Sequence, residues 1–351
     1  MGKLGQGKSI STTSVISLYF KKWFIKIRIS VKHLVFLQSM EYSDLIPRIE
    51  NEILKKELTS DRFIRKTNKL ENEIYVIDHH NAPNVLKEIG RLRELTFREA
   101  GGGTGDAFDI DKYDTSVHCY KQMIIFNPDE NEIVGGYRFI KGMDAYNKSE
   151  DKFELSTLHY FDFSDDFMEH YLPKTIELGR SWIQPKYQST GENARQGIFA
   201  LDNLWDGLGA IVSDNPEIKY LFGKVTMYPD YNREGRDALL YFMNYFFPDN
   251  DQLVVAKNPM GFDYDWEHFR PMFEGKEYKA AHRVLNKFVR ERGHNIPPLI
   301  NSYMNLSSTM KTFGTALNND FGEVEETGIL VTIDDIHETK RARYVDSYKK
   351  V

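Results

Sequence analysis

The spacing of apolar and polar positions changes repeatedly along the 351-residue chain, and each change marks a predicted element. Near the start, Ile25, Ile27, Ile29 and Val31 alternate with Lys26, Arg28, Ser30 and Lys32, a two-residue period. A polar lead-in from Glu41 to Asn72 separates that segment from a short strand predicted at Glu73–Ile77. Asn81-Ala82-Pro83 then reads as an N-cap followed by an early proline. Val85, Ile89, Leu92, Leu95 or Thr96, and Phe97 follow at helical spacing. The run Gly101-Gly102-Gly103-Thr104-Gly105 ends this helix. Strands are predicted at Lys121–Phe126 and Glu132–Ile140, and the intervening Asn127-Pro128-Asp129-Glu130-Asn131 has turn chemistry throughout, which predicts an antiparallel hairpin. An aromatic-rich stretch, Phe153 to Leu172, precedes a strand beginning near Glu177. A helix with the apolar stripe Leu201, Leu204, Trp205, Leu208, Ile211 and Val212 comes next, and a strand at Gly223–Tyr228 can lie beside the one at Glu177.

The strand Glu177-Leu178-Gly179-Arg180-Ser181-Trp182-Ile183 breaks the pattern, because it sets an acid, a glycine and an arginine inside an apolar segment. Glycine weakens a strand interior and often marks a bulge, and a buried acid and base are costly unless paired. Strict alternation would send Glu177 and Arg180 to opposite faces, whereas one bulge at Gly179 would bring them to the same face. Arg138 raises the same question in the preceding strand, where alternation places it with Val134 and Ile140. A cation on an apolar face needs partners, and Asp109, Asp111 and Asp114 are the candidates.

Composition narrows the function. With 41% hydrophobic residues the chain can bury a sizeable core, and its net charge of −6 argues against a general nucleic-acid binder. Cys119 is the single cysteine, which excludes an internal disulfide and fits a reducing cytoplasm. No metal site is expected: the Asp109/Asp111/Asp114 pattern lacks the glycine and the terminal glutamate of a calcium loop. Residues 1–39 are basic, and cations interrupt their apolar part, so neither a membrane span nor a signal peptide fits. That segment reads first as a disordered extension, with Met40 as an alternative start, and second as a dock for anionic membrane. Residues 40–340 read as one folded body and 341–351 as a polar tail. The glycine run is not a dinucleotide fingerprint, since no strand feeds it. It reads as a helix stop with a flexible loop, with a loop that moves over substrate as the alternative.

Taken in order, Arg93-x-x-x-Phe97, the three aspartates, Gly135-Gly136-Tyr137-Arg138 and Glu177-Leu178-Gly179-Arg180 resemble the acyl-carrier-protein-dependent N-acyltransferases of the GNAT superfamily. The resemblance runs from about Arg91 to Ile333. It points to the ornithine-lipid and glycine-lipid N-acyltransferases, often labelled hemolysin-like, and more loosely to the acyl-homoserine-lactone synthases. Ile296-Pro297-Pro298-Leu299-Ile300-Asn301-Ser302-Tyr303 and Asp320-Phe321-Gly322 also look like these lipid enzymes. Glu57-Leu58-Thr59 and Arg65-Lys66-Thr67-Asn68-Lys69 look most like the glycine-lipid branch.

The resemblance implies an α+β fold: a mixed, mostly antiparallel central sheet with two splayed strands, flanking helices and a helical C-terminal elaboration. It implies no permanently bound cofactor. The donor is an acyl-phosphopantetheine thioester, carried by acyl carrier protein or by coenzyme A. Gln188, Gly191 and Asn193 would form the phosphate turn, with Asn193 departing from the family's small residue. Gln122 stands where many relatives have histidine. Glu177 is then the candidate base for the acceptor amine, and Arg180 the candidate anchor for the acceptor's carboxylate. Arg93 and Arg138, with Asp111 and Asp114, would hold the site together. The acceptor is glycine, ornithine or a similar amino acid, and the enzyme is placed in the cytoplasm or peripherally on the inner membrane face. Two other readings are an acetyl-coenzyme-A-dependent N-acetyltransferase and a non-enzymatic, membrane-active protein. The aromatic cluster Tyr241, Phe242, Tyr245, Phe246, Phe247, Phe262, Tyr264, Trp266, Phe269 and Phe273 reads equally as core or as an apolar slot for a fatty chain.

Overall fold

Eight strands form one sheet at the centre of the computed structural model, which describes residues 44–188, 197 and 199–349. The basic segment 1–39 lies outside the described residues. In chain order the strands are β1 (Phe63–Lys66), β2 (Glu73–Ile77), β3 (Lys121–Asn127), β4 (Glu132–Lys141), the short β5 (Tyr146–Asn147), β6 (Lys152–Phe153) and β7 (Phe161–Phe163), then β8 (Thr175–Ile183), β9 (Tyr220–Met227), the short β10 (Val254–Ala256), β11 (Lys311–Asn318) and β12 (Val324–Thr332). The helices are α1 (Asn51–Glu57), α2 (Pro83–Glu99), α3 (Lys112–Thr115), α4 (Ala200–Asp214), α5 (Arg233–Phe246), α6 (Trp266–Phe273), α7 (Tyr278–Glu291), α8 (Pro298–Met304) and α9 (Glu338–Tyr344). Spatial order in the sheet is β1-β2-β3-β4-β8-β9-β12-β11. Every neighbouring pair is antiparallel except β8 and β9, which run parallel.

That parallel pair is the key to the architecture. β8 and β9 are paired only from Thr175↔Tyr220 to Leu178↔Gly223. Beyond this point β8 stays bonded to β4 and β9 to β12, so the two middle strands part and open a V in the sheet. The expected mixed, mostly antiparallel sheet with splayed strands is therefore present.

Each sheet face has its own core. On one, Met123, Ile125, Tyr137, Leu178, Leu221 and Ile329 pack against Leu204, Leu208 and Ile211 of α4 and against the α5–α8 helices. On the other, Ile124, Phe126 and Trp182 meet Val85, Ile89 and Phe97 of α2. Helices α5–α8 precede the last two long strands, so the helical elaboration is an insertion ahead of the sheet's final hairpin. Within it Phe242, Phe269 and Phe273 are fully buried, while Tyr245, Phe262 and Tyr264 are partly exposed. That cluster is core. The stretch from 341, read as a polar tail, continues as helix to Tyr344, whose buried ring packs on Trp205.

Two local expectations change. Helix α2 does start at Pro83, but Asn81 does not cap it. Glu57 of α1 reaches over and accepts from the Asn84 and Val85 N–H groups, both at 2.9 Å, supplying the acceptor the helix start lacks. In β4 an extra residue enters the ladder between Ile125↔Gly135 and Phe126↔Ile133, which turns Val134 to the α4 face. Arg138 stays with Ile140 on the α2 face, so the face expected to hold all three residues is split by a bulge. The glycine run behaves as a helix stop. Gly102 N–H bonds back to Phe97, while Thr104 and Gly105 donate to the buried Glu94 carboxylate, which ties the loop down.

Candidate active site

A bulge in β8 sets the geometry. Arg138 pairs with Gly179 and Gly136 with Trp182, so Arg180 and Ser181 together oppose Tyr137 alone. The backbone turn falls at Arg180, with φ of +46°, one residue past the expected Gly179. Gly179 serves a different purpose: a Cβ there would lie 3.3 Å from Arg138 Nε, so its bareness lets the arginine side chain cross the strand. The shift in parity has the expected consequence. Glu177 and Arg180 both point to the α2 face, joined through Tyr120, Arg138 and Asp111.

Three arginines interleave with three aspartates on that face. Arg93 Nε bonds Asp109 at 2.9 Å and its Nη1 approaches Asp114 at 3.2 Å. Arg138 Nη1 lies 2.7 Å from Asp111 and 3.2 Å from Asp114. Arg180 Nε lies 2.9 Å from Asp109. Gln122 completes the Asp114 shell at 2.8 Å, and Asp111 also caps α3. Burial pushes the Asp109 and Asp114 carboxyls up, yet the surrounding guanidinium groups more than offset it and hold both below the usual carboxylate range. The aspartate motif is thus a clamp for arginines. Among the described residues no cluster of metal-ligating side chains occurs.

Glu177 lies in full burial behind the site. Its carboxylate accepts from Tyr120 Oη at 2.6 Å, Ser156 Oγ at 2.7 Å and Thr157 Oγ1. Burial first, and the Glu177 charge second, push the Tyr120 phenol well above its ordinary value. Glu177 does not line the cleft, but Ser156 does.

The cleft itself passes through the V between β8 and β9 and encloses about 510 Å³. Its two ends differ in chemistry. Toward the α4 face it is walled by apolar groups including Leu178, Leu201, Leu204, Leu299, Ile300 and Ile329, with the Tyr137 and Tyr303 hydroxyls 3.4 Å apart among them. Toward the α2 face it is bounded by Arg138, Arg180, Lys224, Glu326 and Ser156, with the Phe97, Tyr228 and Phe321 rings beside them. The Arg180 guanidinium lies 4.2 Å above the centre of the Phe321 ring. Gln188 lines the rim, its amide bonded to the Ile183 carbonyl. Gly191 and Asn193 lie outside the described residues.

Comparison with known proteins gives these features a lineage. The profile of the acetyltransferase (GNAT) domain matches residues 92–194. A protein named glycine N(alpha)-acyltransferase from Bacteroides thetaiotaomicron is 52% identical over 305 residues, covering 87% of this chain and 90% of that one. Its namesake from Phocaeicola vulgatus is 50% identical over 307 residues, covering 88% and 94%. The chain belongs to the GNAT N-acyltransferases. No solved structure matches it.

For an N-acyltransferase the cleft has the required topology, since an acyl thioester and an amine must meet from separate approaches. Past Leu178 the β8 edge has no β9 partner, so its backbone groups are available to a substrate. Three cleft residues escaped the sequence reading: Ser156, Lys224 and Glu326. Lys224 Nζ bonds Glu326 at 2.5 Å, and Glu326 also accepts from Thr226 at 2.9 Å and Asn318 at 3.1 Å. The signal that found Arg138, a charge interrupting an apolar run, is missing at all three.

Proposed function

We propose that the enzyme moves a fatty acyl group, 3-hydroxylated in the preferred donor, from the phosphopantetheine thioester of acyl carrier protein to the amine of glycine or a similar amino acid, in the synthesis of amino-acid-containing lipids. The observation that carries this reading is the through-sheet cleft, apolar at one end and charged at the other. A long acyl chain suits the Leu201–Leu204–Leu299–Ile300 end, where the Tyr137 and Tyr303 hydroxyls offer partners for a hydroxyl on the chain. A zwitterionic acceptor suits the opposite end. The names of the relatives support glycine as acceptor.

In this reading the pantetheine arm pairs with the free β8 edge as an added strand would. Gln188, Gly191 and Asn193 hold its phosphate. Arg180 binds the acceptor carboxylate with the N–H donors that Asp109 leaves unused. The amine loses a proton to Ser156 Oγ as Ser156 passes its own to Glu177, and the nitrogen then attacks the thioester carbonyl. A β8 backbone N–H stabilises the oxyanion. The C–S bond breaks as the attacking nitrogen gives up its second proton to the pantetheine thiolate, and the first proton, held by Glu177, returns to solvent through Ser156. Arg93, Asp111, Asp114 and Arg138 fix Arg180 and the bulge. Among the described residues no helix is long and apolar enough to cross a membrane. The reading places the enzyme in the cytoplasm or on the inner membrane face, where its lipid product partitions.

Purified protein incubated with 3-hydroxyacyl-carrier protein, the matching acyl-coenzyme A, acetyl-coenzyme A and a panel of amino acids tests this by mass spectrometry. N-(3-hydroxyacyl)glycine from the carrier-protein donor is the expected product. Turnover with acetyl-coenzyme A alone would replace this reading with that of an ordinary acetyltransferase.

A further inference from the structure

Lys224 stands at the point where the sheet opens. Gly223 makes the last β9 pairing with β8, so Lys224 is the first β9 residue on the free arm of the V. It shares the α2 face with Phe222, and its side chain is only 11% exposed, yet it lines the charged end of the cleft. Glu326, on β12 opposite Thr226, is still more deeply buried. Its bonds from Lys224, Thr226 and Asn318 fix the carboxylate, which in turn aims the ammonium. The Tyr160 ring lies under Nζ, 4.9 Å from its centre. An ammonium has three donors, and Glu326 takes one of them.

A buried pair of this kind is a poor stabiliser. Desolvating both ions costs as much as their attraction returns, and apolar residues of similar size commonly do as well or better. Lys224 also lies within the influence of Arg180 and Arg138. Burial first, and then these like charges, lower its proton affinity despite the opposing effect of Glu326. A second anion in the cleft would relieve that repulsion. Arg180 faces the same end from β8, the other arm of the V.

We propose that Lys224, aimed by Glu326, and Arg180 together seat the carboxylate of the acceptor amino acid, one cation on each arm of the splay, with the amine directed into the gap. The inference rests on the amino-acid N-acylation reading and adds a specificity residue to it. A carboxylate bridging the arms places the amine on the axis of the V, where the thioester emerges from the apolar end. It also makes the carboxylate a condition for turnover.

Glycine and glycinamide, which lacks the charge, form the test pair with one thioester donor. Wild-type enzyme is expected to favour glycine in kcat/KM by about 100-fold, and K224M/E326Q to lose at least about tenfold of that preference, the effect of one charge-assisted bond. The double variant leaves no lone buried charge, so its melting temperature stays at or above wild type. K224R is expected to keep most of the preference, a rescue that a purely structural role would not predict. K224Q/E326Q, which likewise leaves no lone buried charge and keeps a polar pair in place, is the second variant should the first melt early, and it is expected to lower the same ratio. A glycine-to-glycinamide ratio unchanged in the variants that remove the Lys224 charge, or equal losses on both acceptors, would overturn the seat while leaving N-acylation intact. Absence of any N-acylglycine from wild-type enzyme would overturn the functional reading itself.

Discussion

Ser156 separates Glu177 from the cleft, and any basicity of the buried acid reaches a substrate through that hydroxyl. If the two act as one relay, Ser156→Ala and Glu177→Gln should each lower kcat by about 10²-fold or more, the usual scale of general base catalysis, with little change in KM for the acceptor. The double variant should be no slower than the worse single one, because residues acting as a unit are strongly non-additive. Multiplicative losses in single-turnover rates would show two independent roles. At this scale the sequence was informative where a charge interrupts an apolar run, as at Arg138, Glu177 and Arg180. It concealed Lys224 because Lys224 and Thr226 alternate with Val225 and Met227, the signature of a half-solvated strand. Glu326 was hidden in the same way, within the polar run Glu325-Glu326-Thr327. Neighbouring Glu325 instead anchors α5 through Arg236, so adjacent acids serve opposite faces of β12.

Strand pairing decides where the cleft begins, and Gly223 sits at the last rung. A Cβ there would lie 2.7 Å from the Leu178 carbonyl oxygen, a backbone atom fixed by the ladder. Gly223→Ala should therefore cost about 1–3 kcal/mol, as overpacking does. It should also push the arms of the V apart at their root and raise KM for the acyl donor more than for the acceptor. Thermal melts together with KM for each substrate would check this, and an unchanged donor KM with full stability would refute the vertex role. Elements with clean periodicity, such as α2, α4 and the β3–β4 hairpin, were legible from the chain alone. The cap on α2 was not, because it comes from Glu57, a residue 27 positions from the N–H group of Asn84 that it accepts from. The β8 bulge was foreseen, but its turning residue was misplaced by one. Gly179 is spared for the crossing of Arg138, and Arg180, locked by Asp109 and Asp111, carries the positive φ. Such a conformation in a non-glycine residue costs about 1–3 kcal/mol and persists only where its surroundings over-determine it.

Across the whole molecule, the sheet is a partition with different chemistry on its two faces, and the V is the gap through which they meet. The same partition makes stability depend on acid. Asp109, Asp114 and Glu326 are all held below their ordinary values of 3.8 for Asp and 4.5 for Glu, because arginine and lysine partners outweigh the effect of burial. A carboxyl whose folded-state value is depressed takes up a proton more readily once the chain unfolds. Its stabilising contribution is complete above the unfolded value and is lost as pH falls through the folded one. Stability should thus be nearly level from neutral pH to about 5 and fall steeply beneath the ordinary carboxylate range. Denaturation midpoints measured against pH on wild type and Asp114→Asn test the assignment. The variant should be weaker at neutral pH, where Arg93 and Arg138 lose a shared anion, and shallower on the acid side, because one depressed carboxyl no longer titrates. An acid limb as steep as that of wild type would mean that the arginine–aspartate clamp does not govern the fold's tolerance of low pH.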